Sequence, residues 1–352
     1  MIMEHPRRAK SPVRSWRWLL SPSTSTRRGI LLAGLAVGTS LASSATDTLA
    51  ESYPSKPIKL VVPVGAGSAA DLRARQIADR LSKALGQPVI IDNRPGAGST
   101  IGAAYVAKSA PDGYTLLYGT IGDQAIAPAL YPNLPYDPRK DFVPIVQNAL
   151  IPPILVVSPS LGVRSMKELI ALARAKPGEL TIASWGNGTL PHLLALQLGR
   201  EAGIQIVHIP YKNAAAALSD VVAGHVAMMF DYTPSSRPFV TAGKLKVLMT
   251  VGSKRTRILP DVPSATELGM PAIEHMGWSV IVAPVGISNE ILRRLNTELV
   301  RIVRSPEIMQ IIVDSGGDPE AVGRSPEEVA AFVRREQETL AALVKATGAR
   351  AE

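Results

Sequence analysis

The chain has 352 residues, 46% hydrophobic and 19% charged, which excludes a disordered segment and suits about two packed domains. It contains no cysteine, so a disulfide framework, a thiolate metal site and a cysteine nucleophile are all excluded. The net charge is +9, but Arg7, Arg8, Lys10, Arg14, Arg17, Arg27 and Arg28 against Glu4 and Asp47 leave +5 in the first fifty residues and only +4 on the rest. That remainder is too thin for the basic stripe that nucleic acid requires, although a mild positive field suits a small anion.

Residues 1–50 read as an export signal. Basic residues lead to "TRRGILLAGLAVGTSLASSA", a short apolar run closed by small residues, with cleavage expected after Ala45 or Ala50. The run is too short for a membrane span, and the Arg27–Arg28 pair resembles a twin-arginine signal. The mature protein is therefore expected outside the cytoplasm.

From Tyr53 the pattern alternates short β-branched runs with amphipathic helices. Strands are expected at 58–64, 88–92 and 114–120, with helices at 69–86 and 99–110 between them. A proline-rich stretch from Tyr131 to Pro144 interrupts this order, and "IPPILVVSP" (151–159) restarts it. Helices 165–175, 189–202 and 213–223 then alternate with strands 180–183, 205–209, 225–230 and 245–251. The last third reads as mainly helical, at 288–304, 306–315 and 325–346. Ser165 with Glu168, and Ser325 with Glu328 behind Pro326, fit capping boxes. The order implies two α/β units with parallel sheets, one unit interrupting the other: 51–147 with 253–352, and 148–252. Ligands in such folds sit beyond the carboxyl ends of strands, in the cleft.

Two loops at strand–helix junctions carry the smallest side chains. "VGAGSAAD" places Gly65, Gly67 and Ser68 at the first, and "SWGNGTLPH" (184–192) is the second. A helix N-terminus leaves amides unpaired and attracts anions, and small residues let a ligand approach the backbone. Tight-turn glycines, and a Ser68–Asp71 capping box, explain the first loop equally well on their own. Neither G-x-x-x-x-G-K-[ST] nor G-x-G-x-x-G is present, so neither a P-loop nor a dinucleotide site is supported, and no cofactor is expected. There is no G-x-S-x-G and no H-E-x-x-H, and His192, His208, His225 and His275 stand singly. Asp231 closes the apolar run "VAMMF", where a carboxylate needs donors; a cleft role and a structural role both fit.

The segments "YPSKPIKLVVP", "DNRPGAGSTIGA", "APDGYTLL", "LPYDPRKDFVPI", "HIPYKN", "MMFD" and "LPDVPSATELG" together resemble the Bug-type receptors of tripartite tricarboxylate transporters. The resemblance implies a two-domain α/β periplasmic binding protein, type II-like, each domain a sheet flanked by helices, with the ligand in the interdomain cleft. It implies capture of a small carboxylate and delivery to membrane permease subunits, without catalysis and as a monomer. Carried over by position, the ligand-binding set is Gly65, Ala66, Gly67, Ser68, Ala69 and Asp71 in the first loop, and Thr120 at a strand end. Ser184, Gly186, Asn187, Gly188 and His192 follow in the second loop, then Tyr211 and Asp231. The first loop departs from the family pattern, with Ser68, Ala69 and Ala70 where a denser glycine cluster and a threonine are usual. Asn213 likewise stands in place of a glycine. A receptor serving a sensor kinase, and an exported enzyme using Asp231 and His192, are the alternative readings.

Overall fold

The computed structural model describes residues 53–350, so the export-signal reading lies outside the described residues. The chain begins with β1 (Ile58–Val62), α1 (Ala69–Leu85), β2 (Val89–Asn93), α2 (Thr100–Ala107) and β3 (Thr115–Thr120). A single π-helical turn at Gly122–Ile126 runs into the short α3 (Ala127–Leu130), and β4 (Phe142–Ile151) follows. The second half holds β5 (Ile154–Val157), α4 (Met166–Ala175), β6 (Thr181–Ser184), α5 (Leu190–Ala202) and β7 (Val207–Pro210). It continues through α6 (Ala214–Ala223), β8 (Met228–Asp231), α7 (Thr233–Thr241) and β9 (Lys246–Thr250). The chain then returns through β10 (Gly277–Pro284) to α8 (Asn289–Val303), α9 (Pro306–Asp314) and α10 (Pro326–Thr347).

Two five-stranded sheets result, in the orders β2-β1-β3-β10-β4 and β7-β6-β8-β5-β9. The expectation of parallel sheets is corrected here, because both sheets are mixed. β10 runs antiparallel between β3 and β4, and β5 runs antiparallel between β8 and β9. A chain that leaves one sheet and later returns enters from the opposite direction, and short loops reverse it further. The last third was expected to be mainly helical, which missed β10. All eight of its residues are buried, so it shows no alternation to mark it as a strand. β4 likewise begins at Phe142, earlier than the expected restart at 151, and Pro144 is accommodated opposite Val282 beside a register shift.

Local chemistry explains several element ends. Ser68 caps α1 through the Asp71 amide, and Gly86 closes it at φ 69°. Ser325 and Glu328 form the full reciprocal box on α10, with Pro326 at its first position. At α4 only half the expected box is made, since Glu328's counterpart Glu168 accepts from the Arg164 amide, one residue too early.

The sheets bury separate aliphatic layers, one built on Ile58, Leu60, Ile77, Leu81 and Leu299, the other on Ile154, Val156, Val221 and Met229. A third cluster joins the two halves, and α10 is its spine: it packs on β4 and the 122–130 turn of one half and on α5 of the other. Trp278 of β10 seats this helix edge-on against Phe332, while its indole N–H donates to Glu336 at 2.9 Å. Burial pushes the Glu336 carboxyl up, so loss of that donor leaves an ill-compensated acid. Trp278→Phe is expected to destabilise the protein by about 1–3 kcal/mol in urea titrations.

Candidate functional site

A cavity of about 710 Å³ lies between the two sheets and is lined by the carboxyl ends of strands from both. One wall is the turn after β1, where Gly65, Ser68, Ala69 and Ala70 face inward. The opposite wall is the loop after β6, contributed by Trp185, Gly186, Asn187 and Leu190. The helices behind these loops aim their N-termini at the space between. At the start of α1 the Ser68 amide donates to the Gly65 carbonyl and the Asp71 amide to the Ser68 hydroxyl, while the Ala69 and Ala70 amides find no acceptor among the described residues.

Of the residues predicted from sequence, Gly65, Ser68, Ala69, Thr120, Gly186, Asn187, Tyr211 and Asp231 line this cavity. The others are near it but do not line it. Ala66 and Gly67 sit exposed on the outer side of their turn. Asp71 is buried and holds the loop: its carboxylate accepts from the Gly67 amide, Arg75 and Asn93, and these bonds keep it below the usual carboxylate range despite burial. Ser184 is fully buried and sits 2.7 Å from Nε2 of His208. Gly188 packs against Leu130 and Tyr131, and its amide donates to Nδ1 of His192. The His192 and His208 rings stack at 4.5 Å, so these two histidines are not isolated as their spacing suggested. Burial holds His208 below the usual imidazole range, favouring the neutral ring.

Asp231 is the last residue of β8 and 2% exposed. Its carboxylate accepts from Ser235 and Ser236 in the first turn of α7, at 2.8 Å for Ser235, and burial still pushes it up. Thr120 is fixed by Asp123, which accepts from the Thr120 amide at 2.7 Å and its hydroxyl at 2.6 Å, with the Gln124 amide on the other oxygen.

Sequence reasoning missed the wall between β2 and α2. Gly96, Ala97, Gly98 and Ser99 all line the cavity and all have positive φ, at 125°, 45°, 61° and 81°. Ala97 and Ser99 are costly there, and strain of this kind collects at ligand clamps. The signal was the glycine pair in "RPGAGS", which served only as a family marker.

Four glycines lie where the halves meet closely, Gly188 against Leu130 among them. A Cβ on Gly65 would stand 2.8 Å from the Asn213 Cβ, one on Gly98 3.1 Å from the Asn187 carbonyl, and one on Gly277 would overlap Tyr232. Gly65→Ala is expected to cost about 1–3 kcal/mol of stability, and adding Asn213→Gly should recover most of it. Chemical denaturation of the single and double variants measures both.

Asp123 carries a second prediction. Burial, the largest influence, pushes its carboxyl up to about 6 from 3.8. The folded protein therefore holds this proton more tightly than the unfolded chain, so the stability from Asp123 is full below pH 3.8 and declines towards pH 6. The stability of wild type relative to Asp123→Asn should fall by about 2 kcal/mol between pH 4 and 7.

Residues 73–349 match the model of the tripartite tricarboxylate transporter family receptor. The chain is 34% identical over 321 residues to protein BugT of Bordetella pertussis (strain Tohama I), covering 91% of this chain and 98% of that one. Among solved structures, it resembles R. palustris Rpa4515 with adipate at TM-score 0.81 and 34% identity, covering 85% of this chain and 99% of that one. The periplasmic binding protein BugD matches at TM-score 0.80 and 30% identity, with coverage of 85% and 99%. With its paired mixed sheets and the cavity between them, the chain belongs to the tripartite tricarboxylate transporter family of periplasmic receptors.

Proposed function

We propose that this receptor captures a small carboxylate-bearing solute between its halves and hands it to the membrane permease of a tripartite tricarboxylate transporter, without turnover. The observation that carries the reading is the pair of unpaired amides, Ala69 and Ala70, opening on the cavity at the positive end of α1. The loop at the start of α5 faces the same space, so a ligand spanning the cavity meets both halves. The adipate named for Rpa4515 supports a carboxylate ligand here. The lining residues Gly65, Ser68, Ala69, Thr120, Gly186, Asn187, Tyr211 and Asp231 form the contact set in this proposal.

The enzymatic alternative draws no support from the geometry. Asp231 lines the cavity whereas His192 does not, so the two do not flank a common substrate. Delivery outside the cytoplasm would follow export through Arg27 and Arg28. The halves 51–147 with 253–352, and 148–252, would hinge where Pro152 and Pro153 join β4 to β5.

Thermal-shift screening of the mature protein against organic acids, amino acids and aromatic acids tests the reading. Stabilisation by carboxylates is expected, and stabilisation confined to uncharged solutes would overturn it. The amide mechanism has its own test in Ala69→Pro. Proline is tolerated at a first helical position, Ser68 already has the extended conformation that must precede it, and the substitution removes one N–H. Calorimetry should show about one to two decades of lost affinity, and a smaller loss for Lys212→Ala at the exposed rim.

A further inference from the structure

One corner of the cavity presents acceptors where the start of α1 presents donors. Thr120 lines that corner at the end of β3, and its hydroxyl proton is already spent. The hydroxyl donates to Oδ1 of Asp123 at 2.6 Å, and the Thr120 amide donates to the same oxygen at 2.7 Å. A threonine hydroxyl has one proton to give, so only lone pairs remain for the cavity. Asp123 itself is fully buried, and the Gln124 side-chain amide donates to its second oxygen at 2.8 Å.

The π-helical turn that carries Asp123 is braced from two sides. The Tyr136 hydroxyl donates to the Asp123 carbonyl at 2.8 Å, and Gln337 of α10 donates to the Gln124 carbonyl at 2.7 Å. Arg139 in turn donates to Gln337. Turns of this kind gather at functional sites. Gly122, the first residue of the turn, lets the 96–99 wall close on it. A Cβ there would stand 3.0 Å from the Gly98 carbonyl oxygen, 3.4 Å from Thr120 Oγ1 and 3.5 Å from Ser99 Oγ. From the other half, the Asn187 and Gly188 carbonyl oxygens lie 3.1 Å and 3.4 Å from the Cβ position of Gly98. Thr120 therefore sits near carbonyl oxygens of both halves, with a buried carboxylate behind it. A negatively charged solute oxygen is repelled there. An O–H or N–H is accepted, by an oxygen that its own bond to Asp123 has made a stronger acceptor.

We propose that Asp123 is a positioning residue for solute recognition: by taking the Thr120 proton it fixes that hydroxyl as an acceptor, and the site thereby selects a solute that brings a hydrogen-bond donor to this corner. This rests on the carboxylate-receptor reading above and concerns a group on the solute other than the carboxylate at the α1 amides.

The test is calorimetry on the mature protein at about pH 8, where Asp123 is ionised, with malate against succinate, lactate against propionate and glutamate against glutarate. Wild type should bind the donor-bearing acid of at least one pair about tenfold tighter than its match. Thr120→Ser should keep that ratio and Thr120→Val should bring it close to one. Asp123→Ala should lower it, and Asp123→Asn, whose amide oxygen still accepts the Thr120 proton, should keep more of it. A ratio that survives Thr120→Val or Asp123→Ala overturns the assignment. So does a wild type that favours no donor-bearing acid, which would leave the carboxylate-receptor reading intact. A wild type that binds no carboxylate, in these pairs or in the wider screen, overturns both. The protein without solute supplies a further check should Asp123→Ala fail to fold. Followed by NMR, the Asp123 carboxyl should titrate at higher pH in Thr120→Val than in wild type, because one donor to its ionised form is lost. An unmoved titration means that the Thr120 proton lies elsewhere, and it overturns the assignment.

Discussion

The two halves of this receptor approach each other where side chains are missing. At Gly65, Gly98 and Gly277 the opposite half occupies the space a β-carbon would need, at 2.8 Å, 3.1 Å and in outright overlap. The small residues of the strand–helix turns thus have two functions from one property. They bare backbone amides towards the cavity, and they let Asn213, the 187–188 loop and Tyr232 close around it. Every wall of the site depends on that approach, because no single half encloses the volume.

Burial of charge around the cavity follows a consistent division. Asp71 and Asp123 are used internally, the first tying down the α1 turn and the second fixing Thr120 at the end of β3. Asp231 is answered by two serines, so its carboxylate is held whether or not a solute is present. These acids are costly to bury and are compensated by short, local donors. Arg73 is the exception, a buried cation that no carboxylate among the described residues pairs with. That contrast sets the electrostatic character of the site more than the net charge of the chain does.

Much of the architecture was legible from residues. The alternation from Ile58 onward gave strand and helix order, and Ser68, Ser325 and Gly86 marked helix ends. The loops holding Gly65 and Asn187 were visible as small residues at strand–helix junctions. β10 was not legible, since "GWSVIVAP" is buried on both faces and shows no period, and strand direction depends on chain return paths that local sequence does not encode. Within the site, the eight predicted liners share a junction with a helix start. Ala66 and Gly67 belong to the same junction, but a turn has an outside as well as an inside. Arg73 went unnoticed because an arginine in an amphipathic helix is ordinarily solvent-facing, and only its burial and its bond to Ser315 after α9 reveal that this one is not.

The long helix α10 has a consequence for how the cavity can change its width. It rests on β4 and the 122–130 turn of one half and on α5 of the other, burying Phe332, Val333, Leu340, Leu343 and Val344. Pulling the halves straight apart would strip these side chains from one surface, at about 1.5–3 kcal/mol for each one fully exposed. Rotation about an axis close to the helix leaves them covered. Were the halves to hinge at Pro152 and Pro153, α10 would lie close to the axis, and leverage would turn a small angular change there into a larger travel at the far rim.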